Sequence, residues 1–210
     1  MPGHPFDQSS YQVRFEWGAD GLARLAPADV TVVVDVLRFS STVIQAVERG
    51  ETVALDAAAR AHSLNGAVVA QAARGLVLLG GLRNRAAVAR AILAEQERRG
   101  ARTSIAVIAC GERTSAADGA SLRFAVEDLL GAGAVIDALA DLGIDHSSPE
   151  AAVAGEGFRS LRGASKHLLT ASGSGRELER AGRRDEVLAA AAVDAASVVP
   201  VLRDGVFAAL

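Results

Sequence analysis

The sequence predicts an α/β fold: a layered domain with a largely parallel sheet covered by helices. Three observations carry this. Four short apolar runs lack the alternation of a half-exposed strand, as strands covered on both faces do. Stretches of helical spacing alternate with those runs. Half of the 210 residues are hydrophobic (50%) against 22% charged, which supplies a large core and excludes a mainly disordered chain.

The first run, VTVVVDV (30–36), is the most β-prone, and it leads through LRFSST into a helix expected over Ser41–Glu48. ETVALD (51–56) follows as a strand, and SLNGA opens a helix over Leu64–Ala73. GLVLLGG (75–81) and TSIAVIAC (103–110) flank a helix over Asn84–Arg99. Beyond a CGER turn the longest helix is expected over Leu122–Leu142. Pro149 starts a mainly helical second half, with helices over Pro149–Ala154, Ala164–Thr170, Arg176–Ala181 and Asp185–Ala192, closed by strand-like SVVPVL (197–202). This half has few strands of its own, so it is expected to pack on the same sheet, and 1–210 reads as a single domain. Leu188–Val193 and Val206–Leu210 are apolar enough to bury surface in a homo-oligomer.

Charge narrows the partners. Twenty-two basic and 25 acidic residues leave a net charge of −3, with no footprint for nucleic acid or anionic membrane. The single Cys110 excludes an intramolecular disulfide and a zinc knuckle. The N-terminus has no basic or apolar signal region and no apolar run spans a bilayer. A cytoplasmic protein is expected.

The chemistry gathers at two places. Asp35 sits near the end of the first strand, where ligands bind in open parallel sheets. A carboxylate there can hold a metal ion or a water. Arg38 follows, and Ser40, Ser41 and Thr42 open a helix whose free N–H groups make an anion site. The bland alternative is a capped helix with a surface Arg–Asp pair. In SLRFAVEDLLGAGAVIDALADLG, Glu127 and Asp128 interrupt an apolar face, where an ionised carboxylate is expensive unless paired or bound to a cation. Either one ligates a metal while the other braces a neighbour, or Asp128 is solvent-facing and Glu127 an ion-pair partner. Gly131 and Gly133 allow another element to approach closely. Gly111 permits a tight turn at the phosphate site, and Glu112 adds a carboxylate to its rim. Two phosphatase classes fit badly. A haloacid-dehalogenase enzyme needs a second Asp two residues after the first, and that position is Leu37. A cysteine phosphatase needs Arg six residues after Cys110, and that position is Ala116.

Taken in order, VVVDVLRFSST, NGA, GGLRNRAAVA, CGER, SLRFAVEDLLGAGAVIDAL, SGRELERAG and SVVPVL resemble the 2-phosphosulfolactate phosphatase (ComB-like) family over about residues 30 to 205. The resemblance implies a Mg²⁺-dependent α/β phosphatase acting on the phosphate ester of a small 2-hydroxy acid. It aligns Asp35 and Arg38 with the family's first motif, Asn65 and Asn84 with its Asn-containing turns, and Glu127 and Asp128 with its acidic pair. Mg²⁺ takes one or two carboxylates plus phosphate and water, so Asp35 with Glu127 or Asp128 is the expected metal set. Ser40, Ser41, Asn65, Asn84 and Gly111 are the expected phosphate contacts. A covalent Asp35 phosphate is the second option. The chain is shorter than the family pattern between about 55 and 63. That shortening points to an alternative, a catalytically silent phosphometabolite-binding protein of the same fold.

Overall fold

Each apolar run expected as a strand pairs into one sheet in the computed structural model, which describes residues 4–57, 59, 63–113 and 121–210. In chain order the elements are β1 (Val13–Trp17), α1 (Gly18–Arg24), β2 (Val30–Val34), α2 (Phe39–Glu48), β3 (Val53–Ala54), α3 (Gly66–Ala72), β4 (Leu76–Leu79), α4 (Arg85–Arg99) and β5 (Ile105–Ala109). A small hairpin follows, β6 (Glu112–Arg113) and β7 (Leu122–Arg123), then α5 (Val126–Asp141), α6 (Pro149–Leu161), α7 (Ser165–Ala171), α8 (Gly173–Arg180) and α9 (Arg184–Ala190). The chain closes on β8 (Pro200–Arg203) and β9 (Val206–Ala209). Residues 58 and 60–62 of the shortened segment lie outside the described residues.

The sheet order is β1-β5-β2-β4-β8-β9-β3. The first four strands are parallel, and the β8–β9–β3 flank is antiparallel. The second half therefore does share the sheet of the first. β2 lies at the centre with every residue buried, and its pleat sends Val30, Val32 and Val34 to one core and Val33 to the other. The first core is filled by α4, α5 and the C-terminal helices through Ile92, Leu130, Leu139, Phe158 and Leu169. The second is filled by α2 and α3 through Val43, Val47, Ala67 and Ala70.

This layering positions the site. From β2 the chain crosses into α2 on one face, whereas from the neighbouring β5 it runs through the hairpin into α5 on the other. Adjacent strands whose continuations part to opposite faces leave a crevice at their carboxyl ends. Asp35 lies just past the end of β2, and Gly111 two residues past the end of β5.

Three sequence expectations change. Leu122–Arg123 is not the start of the long helix but pairs with Glu112–Arg113, placing Arg123 opposite Glu112. Opposite charges across a strand pair favour that arrangement. β1 was unforeseen. The two segments suggested for a homo-oligomer are partly spent on this chain's own core: Ala190 and Ala191 of Leu188–Val193 are buried, and Val206–Ala209 forms β9 with Phe207 fully buried.

Candidate active site

The end of β2 is built around Asp35. Its Oδ1 accepts the Phe39 N–H at 3.1 Å and its Oδ2 the Gly66 N–H at 3.0 Å, while its carbonyl accepts the Ser40 N–H at 2.8 Å. The first N–H groups of α2 therefore serve Asp35 itself, not a bound phosphate. Gly66 is required for this approach. A Cβ there would stand 2.6 Å from Asp35 Oδ2 and 2.7 Å from the Phe39 ring. Asp35 is only 7% exposed. Burial, then the negative charges of Glu112 and Glu127, push its carboxyl up to about 6 against the two N–H bonds that favour the ion.

Asp128 spans the crevice behind it. Its Oδ1 accepts the Val36 N–H at 2.7 Å and its Oδ2 the Gly111 N–H at 2.8 Å, so the first turn of α5 ties the ends of β2 and β5 together. Burial and the charges of Asp35 and Glu127 hold this carboxyl well above the usual range. Asp128 has both oxygens engaged with backbone and, unlike Asp35, does not line the cavity, so Asp128 is a brace. Gly111 spends its N–H on that brace and has φ +67°, which confirms the tight turn but not a phosphate contact.

Glu127 is 3% exposed and does not line the cavity in front of Asp35. Its Oε1 lies 2.5 Å from Ser174 Oγ on α8, and that hydroxyl also lies 3.2 Å from Glu112 Oε2 on β6. Glu112 and Ser174 do line the cavity. Burial, then the charges of Glu127 and Glu177, push the Glu112 carboxyl up, against its hydrogen bond to Ser174 and the Arg123 charge. Among the described residues, none of Asp35, Glu112, Glu127 and Asp128 has an ion-pair partner.

The cavity encloses about 590 Å³ and carries two cations, Arg38 and Arg183. Arg38 pairs with Glu186 (3.4 Å) rather than with Asp35, and Arg183 holds the same carboxylate through two bonds of 2.7 Å. Asn65 stands on the cavity wall with its Oδ1 buried and without a hydrogen-bond partner. Ser40 and Ser41 do not reach the cavity. Their hydroxyls donate to the Val33 and Val36 carbonyls at 3.2 and 2.8 Å and brace the turn from below. Asn84 is fully buried and donates both amide protons, to Leu79 O and Val198 O, leaving none for a phosphate.

A family model described as 2-phosphosulpholactate phosphatase matches residues 56–205. The chain belongs to that family. No curated protein matches it. The match contains Asn65, Glu112, the Glu127–Asp128 pair and Ser174, whereas Asp35 and Arg38 lie before it and reach the same cavity through the fold. Membership in this phosphatase family places the chain, at the level of reaction class, among phosphoric monoester hydrolases. No helix among the described residues is long and apolar enough to cross a membrane.

Sequence reasoning missed Ser174, Arg183 and Glu186, and gave Glu112 only a place on the rim. A signal existed for Ser174: in TASGSGRELER, Ser172 caps α8 by accepting the Gly175 N–H at 3.0 Å, and Ser174, between the two, lies buried in that first turn. Nothing local linked that turn to Glu112, 62 residues earlier.

Proposed function

We propose that the chain is a Mg²⁺-dependent phosphatase of small phosphorylated 2-hydroxy acids, with 2-phosphosulpholactate its first candidate substrate. The observation that carries the reading is the concentration of carboxylates at the crevice, none of them ion-paired to an arginine, lysine or histidine among the described residues. Buried, mutually repelling carboxylates are unfavourable unless they bind protons or a cation. With Asp35 titrating at about 6, a cation is the remedy at neutral pH.

The residues fit a hard cation. All the donors are oxygens, and the orphaned Asn65 Oδ1 adds a neutral one on the same wall. Among the described residues no three His, Cys, Asp or Glu side chains converge to hold an ion by themselves. Mg²⁺ does not require it, since it keeps waters and shares substrate phosphate. Asp35 and Glu112, which both line the cavity, are the carboxylates we assign to it, with Glu127 and Asp128 behind them. Bound there, the ion supplies positive charge at the phosphoryl oxygens and lowers the pKa of a water.

The chain's own residues do the rest. Arg38 is held to Glu186 by one long contact and is free to turn to the phosphoryl oxygens, whose charge it stabilises. Asp35, fixed by two N–H bonds, keeps its position without rearrangement as substrate arrives. Phe39 and Leu37 line the cavity as apolar wall, which strengthens electrostatic contacts by excluding water.

Arg38→Ala is expected to raise KM about 10-fold with a smaller fall in kcat, the effect of losing one charge-assisted contact. Steady-state kinetics check it, and unchanged constants would place Arg38 outside the site. The reading as a whole is tested by phosphate release from 2-phosphosulpholactate and phospholactate, with Mg²⁺ and with EDTA. Mg²⁺-dependent release is expected. No release from either ester by folded, Mg²⁺-supplied protein would defeat the hydrolase reading and favour a binding role.

A further inference from the structure

Ser174 is the hinge of the acidic wall. Its hydroxyl has a single proton, yet it touches two carboxylate oxygens, Glu127 Oε1 at 2.5 Å and Glu112 Oε2 at 3.2 Å. The one proton cannot serve both contacts at full strength, and the 2.5 Å contact to Glu127 is the stronger claim on it. With the proton there, Ser174 Oγ turns lone pairs towards Glu112 Oε2, on the surface of the cavity that also holds Asp35, and the longer contact is left weak. Such a pair gains from something positive joining it.

The spacing says what kind of ion suits it. Ligands on adjacent corners of an Mg²⁺ octahedron, with bonds of about 2.0–2.1 Å at right angles, stand roughly 3 Å apart. The Ser174–Glu112 separation of 3.2 Å is close to one such edge. The position is also rigid. Ser174 is 7% exposed, it follows the capped start of α8, and a Cβ on the next residue, Gly175, would stand 1.9 Å from the Leu169 carbonyl. Glu127 lies outside the cavity lining and reaches this surface through its hydrogen bond with the hydroxyl.

We propose that Ser174 Oγ is itself an oxygen ligand of the divalent cation, on the corner next to Glu112, and that Glu127 is a positioning residue that holds the serine proton away from the metal. This rests on the metal-dependent reading above and replaces the direct Glu127 contact with an indirect one. Two consequences follow. Removing the hydroxyl weakens the cation. Replacing it with sulfur changes which cation is preferred, because a thiol is a soft ligand that suits Cd²⁺ and not Mg²⁺.

The experiment is metal binding by calorimetry to the metal-free full chain, with Mn²⁺ and Cd²⁺ as probes, for wild type, Ser174→Ala, Ser174→Cys and Glu127→Gln. Ser174→Ala is expected to bind Mn²⁺ about 10- to 100-fold more weakly, and Glu127→Gln about 10-fold, the scale of disturbing a ligand's hydrogen-bonded partner. Ser174→Cys is expected to lose Mn²⁺ affinity similarly while gaining at least 10-fold in its Cd²⁺-to-Mn²⁺ preference over wild type, a switch that a merely structural serine would not give. Wild-type Mn²⁺ affinity in Ser174→Ala overturns the ligand assignment and leaves the metal-dependent reading standing, even should the cysteine variant fail to fold. An unchanged preference in a folded Ser174→Cys also overturns it. A wild type that binds neither ion ends both.

Discussion

Asp35→Asn is expected to lower phosphate release by about 10³-fold or more, because a cation at a reacting phosphoryl group supplies several kcal/mol of transition-state stabilisation. The variant is expected to remain folded, for reasons that nearly cancel. The amide keeps one acceptor for the Phe39 N–H but turns its NH₂ towards the Gly66 N–H, and an unsatisfied buried donor costs about 1–3 kcal/mol. Against this, it removes a buried charge. The folded-state value of about 6 lies above the ordinary 3.8. The stability linked to this group is therefore fully present below about pH 4 and is lost as pH rises through 6, about 3 kcal/mol in all. Metal-free wild type should accordingly melt lower at pH 8 than at pH 5, and Asp35→Asn should have a shallower dependence. Asp128 is raised partly by the Asp35 charge, so the difference between the two proteins reports Asp35 together with the relief it gives Asp128, and both act in the same direction. Phosphate-release kinetics and melts in chelator at the two pH values check this. Full activity in the variant would remove Asp35 from both the metal and the nucleophile roles, and parallel pH slopes would deny it the buried charge.

How much of this was legible depends on whether the information is local. β2 and β5 were readable because strands buried on both faces must be largely apolar; Ile105–Ala109 is apolar throughout, and Val30–Val34 is apolar except for Thr31, whose hydroxyl donates to the Arg74 carbonyl. β1 was not, because VRFEW includes Arg14 and Glu16. Arg14 is nonetheless 5% exposed, its guanidinium donating to the Tyr11, Ala26 and Pro27 carbonyls, a compensation no local pattern announces. The β8–β9 hairpin had a readable sign. Asp204-Gly205 is a two-residue turn with both φ values positive, +50° and +77°, the geometry that Asp-Gly favours between strands. In the site, Asp35 was found from the end of its strand, and the Glu127–Asp128 pair from the cost of carboxylates on an apolar helix face. Their division of labour was not readable. Which carboxylate braces backbone and which is screened by Ser174 depends on β5, β6 and α8 meeting, contacts between residues tens of positions apart. Ser40 and Ser41 show the converse error: a hydroxyl at a helix start suggests a ligand contact, but its nearest acceptors were the chain's own carbonyls.

The helix bearing that acidic pair depends on two glycines facing opposite ways, and Gly133→Ala is expected to be the most destabilising small substitution in α5. On the sheet side, a Cβ at Gly131 would stand 2.5 Å from Val36 Cγ2. On the other side, a Cβ at Gly133 would stand 2.1 Å from the Ala154 carbonyl oxygen and 3.0 Å from Phe158 Cβ, both on α6. The valine methyl can turn away. The carbonyl cannot, because it belongs to the hydrogen-bonded backbone of α6, so α5 and α6 must separate. Overpacking costs about 1–3 kcal/mol and more where backbone must shift, and the roughly 1 kcal/mol helix-propensity gain of Ala over Gly offsets part of it. We expect a net loss of about 2–3 kcal/mol, read as a melting temperature lower by about 4–12 °C at this chain length. Gly157→Ala is the control. It lies on α6 with nothing within 4 Å of its Cβ, so the same substitution there should stabilise by up to about 1 kcal/mol. The loss should also reach the site. Glu127 and Asp128 occupy the first turn of α5, and Gly133 lies six residues, roughly 9 Å, along the same axis. A shift of α5 away from α6 pulls on the Asp128 bonds to Val36 and Gly111 and on the Glu127–Ser174 contact. Weaker Mn²⁺ binding is therefore expected in Gly133→Ala at temperatures where it is fully folded, and not in Gly157→Ala. Equal melting temperatures for the two variants would show that the helices are not in the close contact on which this part of the site rests.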